Sequence, residues 1–307
     1  MVINLEARDL NYFAVVAEHG NLRRAAEALD MSQPAVSKIL RRLEKWAQAK
    51  LVKRTPKGVE LTAVGAAVLT HARRLKLYLD DVDREVTELS RGRSGHLQIG
   101  ATPSALANPV EQAYIRLLAD SPKVTLNILL GGHEVLIPAL RKGDLELIVS
   151  GIPASPYEGL THEPVFEDAF IAYASANHRL AGRKHLTIAD IARERWALAE
   201  AGTVPHRRLR RMFEDAGFPP PVIAMETAAI APKISLVAAS DVLGFTARRL
   251  LQDVGARLRL AELHVKGLPW IRAVGVSYRK GAYLSPTARR FIETLKTIGK
   301  NTTVEKP

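Results

Sequence analysis

The chain has 307 residues, 47% hydrophobic and 25% charged, an ordinary globular composition with length for about two domains. That excludes a disordered or low-complexity chain, and no apolar run approaches the roughly 20 residues a membrane helix needs. Net charge is +12 and its excess is concentrated: residues 20–76 hold 13 Lys/Arg against 4 Asp/Glu, the footprint of a nucleic-acid face, although solubility alone can explain a net charge.

Residues 5–18 place Leu10, Phe13, Val16 and Ala17 on one stripe of an amphipathic helix. Gly20-Asn21 ends it, and Asn21 can cap a second helix that buries Ala25, Ala26 and Leu29. Asp30-Met31-Ser32 makes a short turn. Ser32 caps a third helix, and Pro34 sits in its first turn, where a missing N–H costs nothing. Val36, Ile39, Leu40 and Leu43 form the inner stripe, leaving Gln33, Ser37, Lys38, Arg41 and Arg42 outward. In residues 51–62, Val52 and Leu61 flank a Thr-Pro-Lys-Gly turn, so a short hairpin with a basic tip of Lys53, Arg54 and Lys57 is expected.

From Thr62 to about Ser90 there is no proline, and Val64, Val68, Leu75, Leu79, Val82, Val86 and Leu89 recur at helical spacing. Such a helix is about 40 Å long at 1.5 Å per residue. That is more than a small domain needs, so it is expected to leave its domain and pair with a second copy of the chain. Arg91-Gly92-Arg93-Ser94-Gly95 is a polar, glycine-bearing break, where the domain boundary is placed. Beyond it, short strands (HLQIGAT, VTLNILL, LELIVSG, FIAYAS, WALAEA, VIAME, VLGF, IRAVGVSY) alternate with helices near 106–119, 133–142, 187–192, 205–216, 229–239 and 286–298. This alternation predicts an α/β domain with mostly parallel sheets.

Three short helices followed by a basic hairpin make a winged helix-turn-helix, whose last helix enters the major groove and presents its outer face to base edges. Gln33 and Ser37 can hydrogen-bond bases, Lys38 and Arg42 can reach phosphates or guanine, and Arg54 can reach the adjacent backbone or minor groove. A merely solvated face is the competing reading.

The stretch from Asn11 to Gly65 resembles the DNA-binding domain of LysR-type transcriptional regulators. The matching pieces are Phe13, Ala25-Ala26, Ser32-Gln33-Pro34-Ala35-Val36-Ser37, Leu43-Glu44, Leu51, Arg54, Leu61-Thr62 and Gly65. Two departures stand out: Gln48 where the family usually has Gly, and Val52 where it usually has Phe. Both concern the turn and packing into the wing. The resemblance implies an all-α winged helix-turn-helix (1–61), a linker helix and hinge (62–93), and a periplasmic-binding-protein-like effector domain (94–307) starting at His96. That domain is expected to have two subdomains, about 94–165 with 270–307 and about 166–265, joined by crossovers near 160–170 and 262–275.

Between the subdomains the resemblance implies a small-molecule cleft, where helix N-termini offer free N–H groups to an anion. Thr102, Pro103 and Ser104 follow the first strand; Thr102 and Ser104 can cap a helix or hold a carboxylate, and either role stands. His133 and Ser150-Gly151 follow the second and third strands. Thr203 lies across the cleft, and Thr227 and Phe245-Thr246 match family positions after later strands. The DNA-binding set is therefore Ser32, Gln33, Pro34, Ser37, Lys38, Arg41, Arg42, Arg54 and Lys57. The family also implies a dimer through 62–90, a dimer of dimers on bent double-stranded DNA, and recruitment of RNA polymerase in the nucleoid.

No catalytic constellation, cofactor or metal is expected. There is no cysteine, which removes disulfides, thiol nucleophiles and cysteine zinc sites. Glu6, Arg8 and Asp9 ahead of a short apolar run are wrong for a secretory signal, so a cytoplasmic location is expected. His133-Glu134 lacks the second histidine of a zinc-protease motif, and no nucleophile-elbow GxSxG or glycine-rich phosphate loop is present. The basic run 206–211 reads as a solvated or intersubunit face, or as an attractor of an anionic effector or bent DNA. Two alternatives to a ligand-modulated regulator remain: an architectural DNA binder without a ligand, and a ligand-binding protein or enzyme of the periplasmic-binding fold.

Overall fold

The computed structural model describes residues 5–56, 58–91, 96–106 and 110–300, and the chain divides into two compact units, Met1–Thr87 and Glu88–Pro307. The first unit runs α1 (Ala7–His19), α2 (Leu22–Ala28), α3 (Gln33–Ala47), β1 (Val52–Thr55) and β2 (Gly58–Leu61), then enters α4 (Ala63–Arg91), which continues across the division. Its helix starts are chemically specified. Asn21 Oδ1 accepts from the amides of Arg23 and Arg24 at 2.9 and 3.3 Å, and Ser32 Oγ accepts from Ala35 N at 3.4 Å, with proline in the first turn of α3.

Phe13, Val16, Ala25, Val36, Leu43 and Leu51 form the core of this unit, and Val68, Leu69 and Ala72 on the first half of α4 pack against it. Gly65 permits that docking: a Cβ there would lie 2.0 Å from the Leu51 carbonyl oxygen. Glu44 ties the end of α3 to the wing, accepting from Leu51 N at 3.1 Å and from Lys50 Nζ at 2.8 Å. At Gln48 the backbone is left-handed (φ 49°, ψ 28°), the conformation that favours glycine after a helix. Further along the helix, Tyr78, Leu79, Val82 and Val86 are exposed.

The second unit contains β3 (His96–Ala101), α5 (Val110–Asp120), β4 (Thr125–Leu130), α6 (His133–Lys142), β5 (Leu147–Gly151) and β6 (Leu160–Ser175). It continues with α7 (Ile188–Ile191), β7 (Arg195–Leu198), α8 (Val204–Asp215), β8 (Val222–Glu226), α9 (Ile230–Ala238), β9 (Leu243–Ala247), α10 (Arg248–Leu258), β10 (Leu260–Leu263), β11 (Trp270–Arg279) and α11 (Pro286–Lys300). All nine strands of this unit join one sheet in the order β4-β3-β5-β11-β6-β9-β7-β8, with β10 also on β6.

The sheet is mixed, which corrects the mostly parallel expectation. Strands linked through helices are parallel (β3 with β4 and β5, β7 with β8 and β9), but β6 and β11 run antiparallel to each other. The reason is that the chain crosses from one subdomain to the other along β6 and returns along β11. The first half of β6 pairs with β11, whereas its second half pairs with β9 and β10. Each subdomain keeps its own core on both sheet faces. Leu97, Ile99, Val274 and Phe291 centre one layer and Leu136, Leu140 and Ile148 the other in the first subdomain. Trp196, Leu209 and Phe213 oppose Ile171, Tyr173 and Val237 in the second.

Candidate functional site

The exposed face of α3 carries Gln33, Pro34, Lys38 and Arg41, with Ser37 half-buried beside them and Ser32 exposed at the cap. Lys53 and Arg54 project from β1 into solvent, while Lys57 lies outside the described residues. Arg42 departs from expectation. It is exposed, but its Nε donates to Asp9 Oδ2 at 2.6 Å and its Nη2 to Asp9 Oδ1. Asp9 is buried, and a buried carboxylate needs a partner. Arg42 therefore fastens α3 to α1 instead of reaching outward.

In the second unit, the register of the sheet brings strand ends of the two subdomains together, where folds of this kind place a ligand cleft. Gly151, at the C-terminal end of β5, pairs with Val274; Ala247, at the C-terminal end of β9, pairs with Phe170; and Phe170 pairs with Trp270. The C-terminal ends of the parallel strands of both subdomains thus converge on the middle of β6 and β11. In such α/β sheets, ligands bind outside those ends.

On the first wall, Thr102 donates its amide to Val149 O at 3.1 Å, but its buried Oγ1 has no partner among the described residues. Pro103 and Ser104 lie in the turn that follows, half-buried. His133 opens α6 behind Gly132, which provides no side-chain cap, and His133 Nδ1 lies 3.3 Å from Tyr157 Oη. Burial and the nearby Arg272 and Arg207 guanidiniums hold the His133 pKa below the ordinary histidine value, with Glu134 opposing. Ser150 is buried and donates to the Gly151 carbonyl at 3.4 Å.

On the second wall, Thr203 precedes α8 and donates its hydroxyl to Glu200 O at 2.8 Å. Thr227 accepts from Ala229 N at 3.1 Å at the end of β8. Phe245 is a correction. Strand alternation turns it into the core beside Leu243 and Phe170, its ring 5.3 Å from that of Phe170, so it does not line the cleft. Its neighbour Thr246 is half-buried on the opposite side of β9, in register with Ile171.

The floor holds residues that the sequence reading missed. Arg272 on β11 stands in register with Asp168 on β6. Its Nη2 donates to Ser104 Oγ at 2.9 Å, and its guanidinium lies 4.4 Å from the centre of the Phe170 ring. Asp168 is buried, which raises its pKa against the pull of Arg272 and Arg249. Arg207 on α8 adds positive charge near His133, and α9 carries a half-buried Lys233 whose pKa is lowered by burial with Glu200 opposing. The available signal was an arginine inside an otherwise apolar strand, WIRAVGVSY. Among the described residues no cluster of three or more His, Asp or Glu could hold a metal ion, and no helix is long and apolar enough to cross a membrane.

A winged helix-turn-helix followed by a long helix and a two-lobed α/β domain with a cleft defines a DNA-binding regulator with a ligand-sensing half. The family model for the LysR substrate binding domain matches residues 90–299, and that for the bacterial regulatory helix-turn-helix protein, lysR family, matches residues 7–66. The chain belongs to the LysR family of transcriptional regulators. It is 34% identical over 295 residues to the SDS degradation transcriptional activation protein of Pseudomonas sp. (strain ATCC 19151), covering 92% of this chain and 93% of that protein. It is 28% identical over 300 residues to the HTH-type transcriptional regulator GbpR of Azospirillum brasilense, covering 95% and 86% of the two chains. Full-length CbnR complexed with its target DNA shares the fold, with a TM-score of 0.60 at 21% identity over 95% of this chain and 99% of that one. The protein is thus a DNA-binding transcriptional regulator whose activity is modulated by a small-molecule effector.

Proposed function

We propose that α3 reads the operator in the major groove, with Gln33 and Ser37 on base edges, Lys38 and Arg41 on phosphates, and Arg54 of the wing on the adjacent backbone. The observation that carries this reading is the exposed polar and basic face of α3, capped at Ser32 and flanked by a basic wing. Two protomers pair through α4 and associate further as a dimer of dimers on bent DNA. A small anionic effector in the cleft shifts the population of closed and open effector domains, which alters the bend and the recruitment of RNA polymerase in the cytoplasm. Thr102, Ser104, His133, Gly151, Thr203, Thr227 and Thr246 are the effector-binding candidates.

The test uses duplexes selected from a random library by the full-length protein, with a scrambled duplex as control. Gln33→Ala and Ser37→Ala should cut the cognate-to-scrambled affinity ratio by about tenfold, a cost of about 1–3 kcal/mol per base contact. Arg54→Ala should weaken both duplexes alike and flatten the salt dependence. Equal losses on both duplexes for all three variants would remove α3 as the reading helix.

A further inference from the structure

Arg272 is a poorly satisfied cation at the junction of the subdomains. A buried guanidinium normally meets a carboxylate or several acceptors. Here its only hydrogen-bond acceptor among the described residues is the neutral Ser104 hydroxyl, and its buried Nε has none. Asp168 faces it across the strand pair, yet that one buried carboxylate also receives the Ala169 amide at 2.8 Å and lies 4.0 Å from Arg249 Nε. Asp168 therefore feels more than one guanidinium at the junction of the subdomains. Burial lowers the Arg272 pKa to about 10, against the opposing pull of Asp168.

The surroundings are shaped to the same end. Gly151 leaves room at the guanidinium, since a Cβ there would come within 2.8 Å of Arg272 Nη1. Two residues before Ser104, the buried Oγ1 of Thr102 is a second polar atom without a partner among the described residues. His133, its pKa lowered by burial and by Arg272, stands at the start of α6 on the same wall. A neutral hydroxyl could satisfy the hydrogen bonds but would leave the charge uncompensated. An oxyanion satisfies both.

We propose that Arg272 is the anchor of the effector, which is a small molecule bearing a carboxylate or phosphate group that docks on its guanidinium between Ser104, Thr102 and Gly151. This deepens the cleft reading above and rests on it. Capture of the oxyanion gives Arg272 a negative partner of its own, and because Arg272 on β11 stands in register with Asp168 on β6, the ligand acts on both strands that join the subdomains.

The test is thermal unfolding and calorimetric titration of the full-length protein with inorganic phosphate, malonate and benzoate, with glucose as the neutral control, at matched ionic strength. At least one oxyanion should bind and raise the melting temperature of the wild type, and whether phosphate or a carboxylate does so identifies the source of the charge. Arg272→Gln should weaken that oxyanion tenfold or more. Gly151→Ala, which keeps the arginine and fills the space at Nη1, provides a second variant and should weaken it as well. An oxyanion that binds Arg272→Gln as tightly as wild type but is lost in Thr102→Val would overturn the anchor and leave the cleft in place. Indifference to both substitutions would sink the cleft reading too. A wild-type protein that responds to none of the three anions, or to glucose alone, contradicts the proposal.

Discussion

At the scale of single residues, Gln48 shows what the chain tolerates to make its wing. It holds φ 49° and ψ 28° at the C-terminal cap of α3, a conformation that costs a side-chain-bearing residue roughly 1–2 kcal/mol and glycine little. Gln48→Gly should therefore stabilise the protein by about 0.5–1 kcal/mol, read as a higher denaturant midpoint with an unchanged slope. A lower midpoint would show that the Gln48 side chain contributes more than its backbone costs. The departure from the family's glycine was legible in the sequence; its positive φ was not. Phe245 and Thr246 were legible as a pair but not as a division of labour. Leu243, Phe245 and Ala247 share one core, and the alternation of β9 alone sends Phe245 there.

At the scale of elements, α4 has two unlike stretches. Val68, Leu69 and Ala72 pack on the first unit, whereas Tyr78, Leu79, Val82 and Val86 lie on an exposed apolar stripe, with Tyr78 66% and Val86 58% exposed. If that stripe pairs two protomers, Val82→Glu should weaken self-association at least tenfold by sedimentation, since burying one such side chain contributes about 1.5–3 kcal/mol. The helical signature of the first unit should persist in circular dichroism. An unchanged association constant would remove α4 as the pairing surface. The helices of the first unit could be read because their caps and 3.6-residue spacing are local. The first half of β6, with the polar sequence LTHEPVFEDA, and the short β10 could not. Leu160 and Arg279 pair across more than a hundred residues, and no local pattern records such a partner. The helix α10 was missed because it follows β9 directly, with no intervening turn to mark its start.

At the scale of the whole molecule, the arrangement of subdomains was legible through the resemblance, but the charge at their junction was not. Ser104 and Arg272 meet across 168 positions of chain, and only the return of β11 beside β5 and β6 brings them together. The same two strands carry the connection between the lobes, and α4 runs without interruption from the first unit into the second. A regulator built this way must obey reciprocity: an effector that alters operator binding is itself bound with an affinity that the operator alters by the same factor. The most direct measurement is calorimetric titration of the best-binding oxyanion into the full-length protein, alone and then saturated with its selected operator duplex. The account predicts affinities that differ by about fivefold or more, matched by an equal change in operator affinity when the oxyanion is saturating. Identical oxyanion affinities with and without the operator would contradict it.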